Sequence, residues 1–490
     1  MKYTTPEQIG LSSSDVLRFY KDLERYRFST HGVLMMRGDK VFSECYYAPF
    51  HRDFKHRMYS VSKSFVSIAI GFCEQDGLLS LDDPMTKYFQ DYENEHWNDK
   101  LRELTIRDML RMETAREKSG VNWFTSGTAD RTEVYFRKEA DKYSGCINQY
   151  DSSGSYMLGV IAERLTGKPF LEYLKDKVLR EIGFSEDAYC ILAPGGHSFG
   201  DSGVMCSTED LLRFARFVLN GGTYNGKRYL NEAYVKAATT MSVCSDDYDF
   251  GTHGAFGYGY QFWGAPDQCF AMLGMGTQVA LCDPKHDFIF AINSDNQGNT
   301  AHYELLYEAL YRNIIRKLSD EPLPENAAAV TALRSFEGSA KLFSLSESAI
   351  PAFFRRISGK TFVCDPAPMK WKWFRLDIAD TFGTVTYENA QGEKSFRFGY
   401  GYNIFDKFPE ENYADMVATI PCPGHRYDAA FSADFPETQK LRIRVQIIDK
   451  YFGNLGMVFG FKDENRVSIR MSKKAEAFLN EYEGIMNAKA

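Results

Sequence analysis

The chain has no CxxC pair, no HExxH motif and no cysteine–histidine grouping at zinc-ligand spacing, despite ten cysteines and nine histidines. Thiolate and imidazole metal sites need such spacings, so no metal site and no cofactor is expected. The cysteines are scattered, and they read as reduced thiols of a cytoplasmic protein, mostly buried. An excess of positive charge is also missing. The formal net charge is -8 and no basic stripe stands out, which excludes a nucleic-acid partner and disfavours an anionic membrane surface. Long apolar runs are missing too. "FVSIAIGFC" and "FIFAIN" fall far short of the roughly 20 residues that span a bilayer. The opening "MKYTTPEQIGLSSSD" has no apolar core, so no secretory leader is expected. Internal repeats and low-complexity tracts are absent. With 44% hydrophobic and 25% charged residues, a mostly disordered chain is excluded.

Aromatic residues, by contrast, are plentiful at 15%, which suits β-structure and an aromatic core. The 490 residues suggest two to four domains, or one large domain and a smaller one, at roughly 100 to 200 residues each. Residues 7–26 read as an N-terminal helix with Leu17, Tyr20 and Leu23 on one face. A hairpin around Gly38-Asp39 comes next. From Ser60 the pattern is helical, with Phe65, Ile68, Ala69 and Phe72 as one apolar stripe and a stop near Asp76-Gly77. "LTIRDMLRM" (104–112) starts another helix, and 113–150 read as long loops over a cleft. "SSGSYMLGVIAERLTGKPF" (152–170) and "STEDLLRFARFVLNGG" (207–222) are further helices, the second with a capping-box start. Strand-like runs come after them in "YGYQFWG", "CFAMLGMGTQVALCDP" and "DFIFAINSD", then an amphipathic helix over 301–318.

Strands at both sequence ends of this region, with helices between, predict an α+β fold of the α/β class: an antiparallel sheet flanked by helices. The expected domains are a larger one over 1–320, a linker over 321–355, and 356–490. The last holds short β-prone runs spaced by turns, as in an antiparallel barrel, with a final helix in "KAEAFLNEYEGIMNA". Trp371, Trp373 and Phe374 are expected in that barrel's core.

One short stretch, "MYSVSKS", carries chemistry. Serine needs a base within hydrogen-bond reach to act as a nucleophile near neutral pH. In Ser60-Val61-Ser62-Lys63 the serine and lysine are three residues apart, which puts them on one helical face. A lysine base must be partly neutral, and burial or neighbouring positive charge favours that state. A helix N-terminus adds N–H groups for an oxyanion. SxxK occurs only here in the chain; by itself it also reads as a polar first turn with a solvated lysine. Downstream, Tyr150-Asp151-Ser152 precedes another amphipathic helix, and a phenol beside cations can pass protons.

"MYSVSKSFVSIAIGF", "LTIRDML", "YDSSGSYMLGVIAERLTGKPF", "GDSGVMCSTEDLLRFARFVLNGG" and "YGYQFWG…LGMGTQVALCDP" stand in the order seen in the β-lactamase-related serine hydrolases. The chain resembles that family over about residues 1–318. The family includes class C β-lactamases, penicillin-binding DD-peptidases, D-aminopeptidases, esterases and 6-aminohexanoate-dimer hydrolase. The resemblance implies a β-lactamase/transpeptidase-like fold with a helical subdomain, and it allows a lipocalin-like C-terminal appendage and a homo-oligomer. It implies a small-molecule amide, peptide or ester substrate, with Ser60 as acylated nucleophile, Lys63 as its base and Tyr150 as proton shuttle. Ser152 stands where the family has asparagine. Gly274, Met275 and Gly276 belong to the substrate-facing strand end, and the N–H groups of Ser60 and Met275 form the oxyanion hole. The family's third motif carries Lys or His; here Met272-Leu273-Gly274 has no cation. β-Lactams and carboxylate-ended stems are therefore expected to be poor substrates.

Overall fold

The computed structural model describes residues 1–116, 129–245, 255–413, 422–475 and 479–490. A first compact unit takes in Met1–Asn296 and Ala301–Lys341; a second takes in Gln297–Thr300 and most of the chain from Leu342 to Ala490.

The first unit is built on one sheet. Its strands are β1 (Lys2–Tyr3), β2 (Thr30–Arg37), β3 (Lys40–Tyr46), β4 (Trp263–Gly264), β5 (Phe270–Gly274), β6 (Gln278–Asp283) and β7 (Phe288–Ser294), in the order β1-β3-β2-β7-β6-β5-β4. All pairings are antiparallel except that of β1 with β3. β6 and β7 are buried along their whole length. Both faces are covered, so these strands read as continuous apolar runs rather than alternating ones. Side-chain alternation still sorts them. Leu34, Met36, Met272, Ala280, Ile289 and Ala291 pack into one core. Val33, Met35, Leu273, Val279, Phe290 and Ile292 pack into another.

Helices line both cores. On the first side lie α2 (Ser62–Gln75), α3 (Ile106–Leu110), α4 (Ser152–Thr166) and α5 (Thr208–Leu219); on the second lie α1 (Ser13–Arg25) and α6 (His302–Asn313). The starts are set by their caps. Thr105 with Asp108 and Ser207 with Asp210 close capping boxes on α3 and α5. Asp151 caps α4, and Gly167 ends it in the left-handed region. α2 is buried from Ser62 to Cys73, as expected of a helix wedged inside a core.

Several boundaries differ from the sequence reading. The N-terminal helix begins at Ser13, where Ser12 caps it, and Glu7–Ile9 is a separate 3-10 turn. The run "YGYQFWG" is a strand only at Trp263–Gly264, because Gln261 adopts a φ of 63°. The stretch 113–150 contains a helix, Arg131–Phe136, and its residues 117–128 lie outside the described residues. Within 321–355, read as a linker, α7 (Ala327–Ser339) forms on an alanine-rich run capped by Asn326. It packs in the first unit, with Leu333 buried and Phe336 stacked on Tyr20 at 5.3 Å.

The second unit contains β8 (Thr361–Cys364), β9 (Trp373–Ile378), β10 (Phe382–Asn389), β11 (Gly392–Tyr400), β12 (Ile404–Lys407), β13 (Asp428–Glu437), β14 (Lys440–Ile448), β15 (Phe452–Asp463), β16 (Arg466–Lys474) and β17 (Gly484–Lys489). They run in the order β11-β10-β9-β8-β17-β16-β15-β14-β13-β12, and β11 also pairs with β13, closing nine strands into a barrel. Closure removes the sheet edges that invite aggregation. Phe362, Phe374, Trp371, Phe396, Phe398 and Phe431 help fill its core, which uses much of the chain's aromatic content. Trp373 is only half-buried and donates its indole N–H to Glu388 at 2.8 Å. The expected final helix is corrected here. Residues 484–489 form β17, paired with both β8 and β16. Helix-favouring Ala and Glu are overridden because this strand completes the ring.

Candidate active site

The site is assembled from four chain segments. The first is the entry to α2. The short strand His56–Arg57 leads into a 3-10 turn over Tyr59–Val61, and α2 continues from it. Tyr59 adopts a φ of 47°, a costly conformation for a bulky residue that survives only where its surroundings fix it. Here Tyr59 is buried and the Arg57 guanidinium lies 4.4 Å from the centre of its ring.

The second segment, Asp201–Cys206, holds that turn. The Met58 N–H donates to the Val204 carbonyl at 2.8 Å, and the Val204 N–H donates to Ser62 Oγ at 3.0 Å. Arg57 donates to the Ser202 carbonyl and hydroxyl, each at 3.0 Å. Lys63 Nζ donates to the Asp201 carbonyl at 2.7 Å. These bonds tie the residues around Ser60 to a segment about 140 positions away, so the serine does not rely on its own helix alone.

Ser60 is half-buried, whereas Lys63 is only 2% exposed. Lys63 Nζ lies 3.1 Å from Ser60 Oγ. A lysine is rarely buried without partners. This one has the serine hydroxyl and the Asp201 carbonyl, and its ammonium lies 5.0 Å from the centre of the Tyr150 ring. Tyr150 comes from the third segment, just before α4. Asp151 is fully buried as the helix cap, accepting from the Thr114 hydroxyl and the Ser153 N–H, both at 2.9 Å. Tyr150 itself is half-buried and stacks on Trp263, centroids 5.6 Å apart. Ser152 opens α4 half-buried and, among the described residues, makes no hydrogen bond to Lys63.

The end of β5 forms the remaining wall. A β-carbon at Gly274 would lie 2.4 Å from the Met58 carbonyl oxygen, so only glycine lets the strand approach the turn bearing Ser60 this closely. Tyr303 donates its hydroxyl to the Gly274 carbonyl at 2.7 Å. Met275 is exposed, and Gly276 has a φ of 77°. Ser294 Oγ and the Asn296 N–H bond the Gly276 carbonyl, each at 3.0 Å. Met272 and Leu273 are buried in opposite cores.

Sequence reading did not find Asp201, Arg57, Arg131 or Trp263. Asp201 is buried, and burial pushes its carboxyl up to about 6, while Lys63, Arg131 and Arg57 pull the other way. No local spacing marks Asp201, Arg131 or Trp263, because each reaches the site through the tertiary fold, and Arg57, which leads into the Ser60 turn, belongs to no motif. The only signal was the glycine-flanked "GDSGV" ahead of a capped helix.

Among the described residues no His, Cys, Asp or Glu cluster suits a metal, and no helix is long and apolar enough to cross a membrane. All ten cysteines are free; five are buried.

Known proteins share the fold. The chain is 25% identical over 309 residues to 6-aminohexanoate-dimer hydrolase of Paenarthrobacter ureafaciens, covering 59% of this chain and 79% of that one. A candidate 6-aminohexanoate-dimer hydrolase from Bacillus anthracis superposes with a TM-score of 0.54 at 19% identity, over 65% of this chain and 87% of that one. EstCE1, a hydrolase with promiscuous acyltransferase activity, superposes at 0.51 with 16% identity, over 61% of this chain and 98% of that one. The family described as Beta-lactamase matches residues 18–311, a span that holds six of the sheet's seven strands, helices α2 to α5 and all four segments of the site. On that match and that fold, the chain belongs to the beta-lactamase family.

Proposed function

We propose that the protein is a serine hydrolase that cleaves a small amide, peptide or ester through an acyl-enzyme. The observation that carries this reading is the 3.1 Å approach of Lys63 Nζ to Ser60 Oγ, with the lysine buried and a phenol beside it. Ser60 Oγ attacks the substrate carbonyl while its proton passes to the Lys63 amine. The oxyanion is met by the N–H groups of Ser60 and Met275. As the tetrahedral adduct collapses, the bond to the leaving group breaks, and that group takes a proton by way of Tyr150. Water, losing its proton to the same Lys63–Tyr150 pair, then attacks the ester on Ser60; the acyl–Oγ bond breaks, Ser60 Oγ takes that proton back from the pair, and the acid is freed. Ser152, Gly274 and Gly276 line the site and orient the substrate.

Met272 and Leu273, ahead of Gly274, bring no cation to the strand end where a substrate carboxylate would be gripped. This favours uncharged or differently anchored amides and esters over β-lactams. Amide hydrolysis is the leading reading, supported by the relative that is a hydrolase of a 6-aminohexanoate dimer.

A fluorophosphonate probe tests the reading, together with a panel of p-nitrophenyl esters, D- and L-aminoacyl anilides and nitrocefin. Wild type is expected to label and to turn over esters and anilides, and Ser60→Ala to do neither. Equal labelling of both proteins would replace the hydrolase reading with a non-catalytic scaffold. Nitrocefin turnover outpacing the other substrates would replace it with a β-lactamase.

A further inference from the structure

The turn that follows β5 is clamped from several elements at once. Met275, Gly276 and Thr277 join β5 to β6, and the Thr277 N–H closes the turn on the Gly274 carbonyl at 3.2 Å. Thr277 has a φ of 74°, and a β-branched residue occupies the left-handed region only where its surroundings force it there. Here they do. Thr277 is fully buried, its hydroxyl meets His302 Nδ1 at 2.7 Å and accepts from Asn296 Nδ2 at 3.2 Å, and its carbonyl accepts from Ser294 Oγ at 2.9 Å.

Two further bonds fall on the peptide units either side of Met275. On the first unit, the Gly274 carbonyl accepts the Tyr303 hydroxyl of α6 at 2.7 Å as well as the Thr277 N–H. On the second, the Met275 carbonyl accepts Gln278 Nε2 at 3.1 Å. Gln278 is itself fully buried. Its Nε2 also donates to the Ser294 carbonyl at 2.6 Å, and its Oε1 accepts from Asn293 Nδ2 at 2.9 Å and from the Ser294 N–H at 3.4 Å. Two carbonyls at one end and two N–H donors at the other leave the amide a single orientation. Asn293 Nδ2 reaches on to the Met58 sulfur at 3.7 Å, so the same relay touches the turn that carries Ser60.

A trans peptide points its N–H opposite to its carbonyl, and the Gly274–Met275 unit is trans. Its carbonyl faces the Thr277 N–H on the β6 side, so the Met275 N–H faces the other edge of β5. Along that edge β4 pairs only with Phe270 and Ala271. Among the described residues no backbone carbonyl accepts the Met275 N–H.

We infer that Tyr303 and Gln278 are positioning residues that fix the two peptide units flanking Met275 and so aim its N–H at the oxyanion. The inference rests on the acyl-enzyme reading of Ser60, with Met275 as the second oxyanion donor. A donor held in place beforehand needs no reorganisation when the charge develops. A carbonyl that accepts a hydrogen bond also polarises the N–H of its own peptide, so the Tyr303 hydroxyl strengthens the donor as well as orienting it.

The test compares acylation of the full chain by a p-nitrophenyl ester and by its thiono counterpart, with C=S in place of C=O. Both release p-nitrophenolate. Attack by Ser60 Oγ leaves O⁻ on the first and S⁻ on the second, and sulfur is the weaker hydrogen-bond acceptor. The oxo-to-thiono rate ratio therefore reads the oxyanion donors rather than the nucleophile or its base. Tyr303→Phe and Gln278→Met are each expected to lower that ratio by about tenfold, part of the roughly 10²–10³-fold that one whole oxyanion donor is worth. Lys63→Met, by contrast, is expected to slow both substrates and leave the ratio unchanged, as general loosening of the fold would. If Gln278→Met does not fold, Tyr303→Phe alone decides. A ratio that stays at the wild-type value in a folded variant, or that falls as far in Lys63→Met, overturns the inference while leaving Ser60 as nucleophile. Equal labelling of Ser60→Ala and wild type by the fluorophosphonate overturns the underlying hydrolase reading instead.

Discussion

Gly274 and Met58 meet so closely that a β-carbon on the glycine would sit 2.4 Å from the Met58 carbonyl oxygen. The contact joins the end of β5 to the turn that delivers Ser60. Neither side yields easily. The Gly274 carbonyl is bonded by Tyr303, and Met58 is tied to Val204. Gly274→Ala is therefore expected to destabilise the fold by about 1–3 kcal/mol, the usual cost of overpacking. Because a shift of about 1 Å at a reacting group can cost two orders of magnitude, acylation of Ser60 should fall by at least about tenfold. Thermal unfolding and fluorophosphonate labelling of the variant check both. Wild-type labelling at a lowered melting temperature would mean the strand, not the nucleophile turn, gives way.

Removing the base should act more narrowly. Lys63→Met keeps the stem and loses the ammonium, so acylation is expected to slow by about 10²–10⁴-fold, the ordinary worth of a general base. Stopped-flow acylation by an activated ester measures this. A rate near that of wild type would take Lys63 out of the mechanism.

What the sequence revealed, and what it hid, divides along one physical line. Ser60 and Lys63 share a helical turn, so their juxtaposition is local and readable from spacing. The sheet and its helices were readable from periodicity, and the barrel strands from turn-spaced runs. Tyr150 needed the order of several motifs. Asp201, Arg131 and Trp263 were illegible because nothing near them in the chain announces their neighbours. The last strand was misread as a helix for a related reason. "KAEAFLNEYEGIMNA" has helical composition, and only the open place between β8 and β16 makes Gly484–Lys489 extended. α7 was likewise hidden by the proline- and acid-rich residues before it.

A buried histidine beside the nucleophile turn predicts an acid limit. His56 precedes Arg57 in the strand feeding Ser60, with His31 stacked at 5.3 Å and Phe54 at 4.8 Å. Burial pushes its imidazole down to about 3 and also lowers that of His31. The sign is that of a base depressed on folding. The unfolded chain takes up the proton near pH 6.5 and the folded one does not, so the stability is present above that pH and is lost as pH falls toward 3. By linkage, His56 alone should cost about 2 kcal/mol between pH 6.5 and pH 5. Melting curves across that range should fall more steeply for wild type than for His56→Gln, which does not titrate. Parallel curves would remove His56 as the cause.

Trp263 predicts a dependence on the leaving group. Its indole stacks on the Tyr150 ring, which in turn faces the Lys63 ammonium at 5.0 Å. A stacked aromatic pair is worth about 0.5–1.5 kcal/mol beyond its buried area, so Trp263→Leu should leave the phenol less well placed. If Tyr150 hands a proton to the departing group, the effect depends on whether that group needs one. p-Nitrophenolate leaves unaided, whereas an anilide nitrogen must be protonated. Trp263→Leu is therefore expected to lower kcat for aminoacyl anilides by about tenfold, the equivalent of about 1.4 kcal/mol. It should change p-nitrophenyl ester cleavage little, and KM less than kcat. Tyr150→Phe should show the same split more strongly. Equal losses on both substrates would instead place Trp263 in substrate binding, and a full-rate anilide reaction in Tyr150→Phe would remove the phenol from proton transfer.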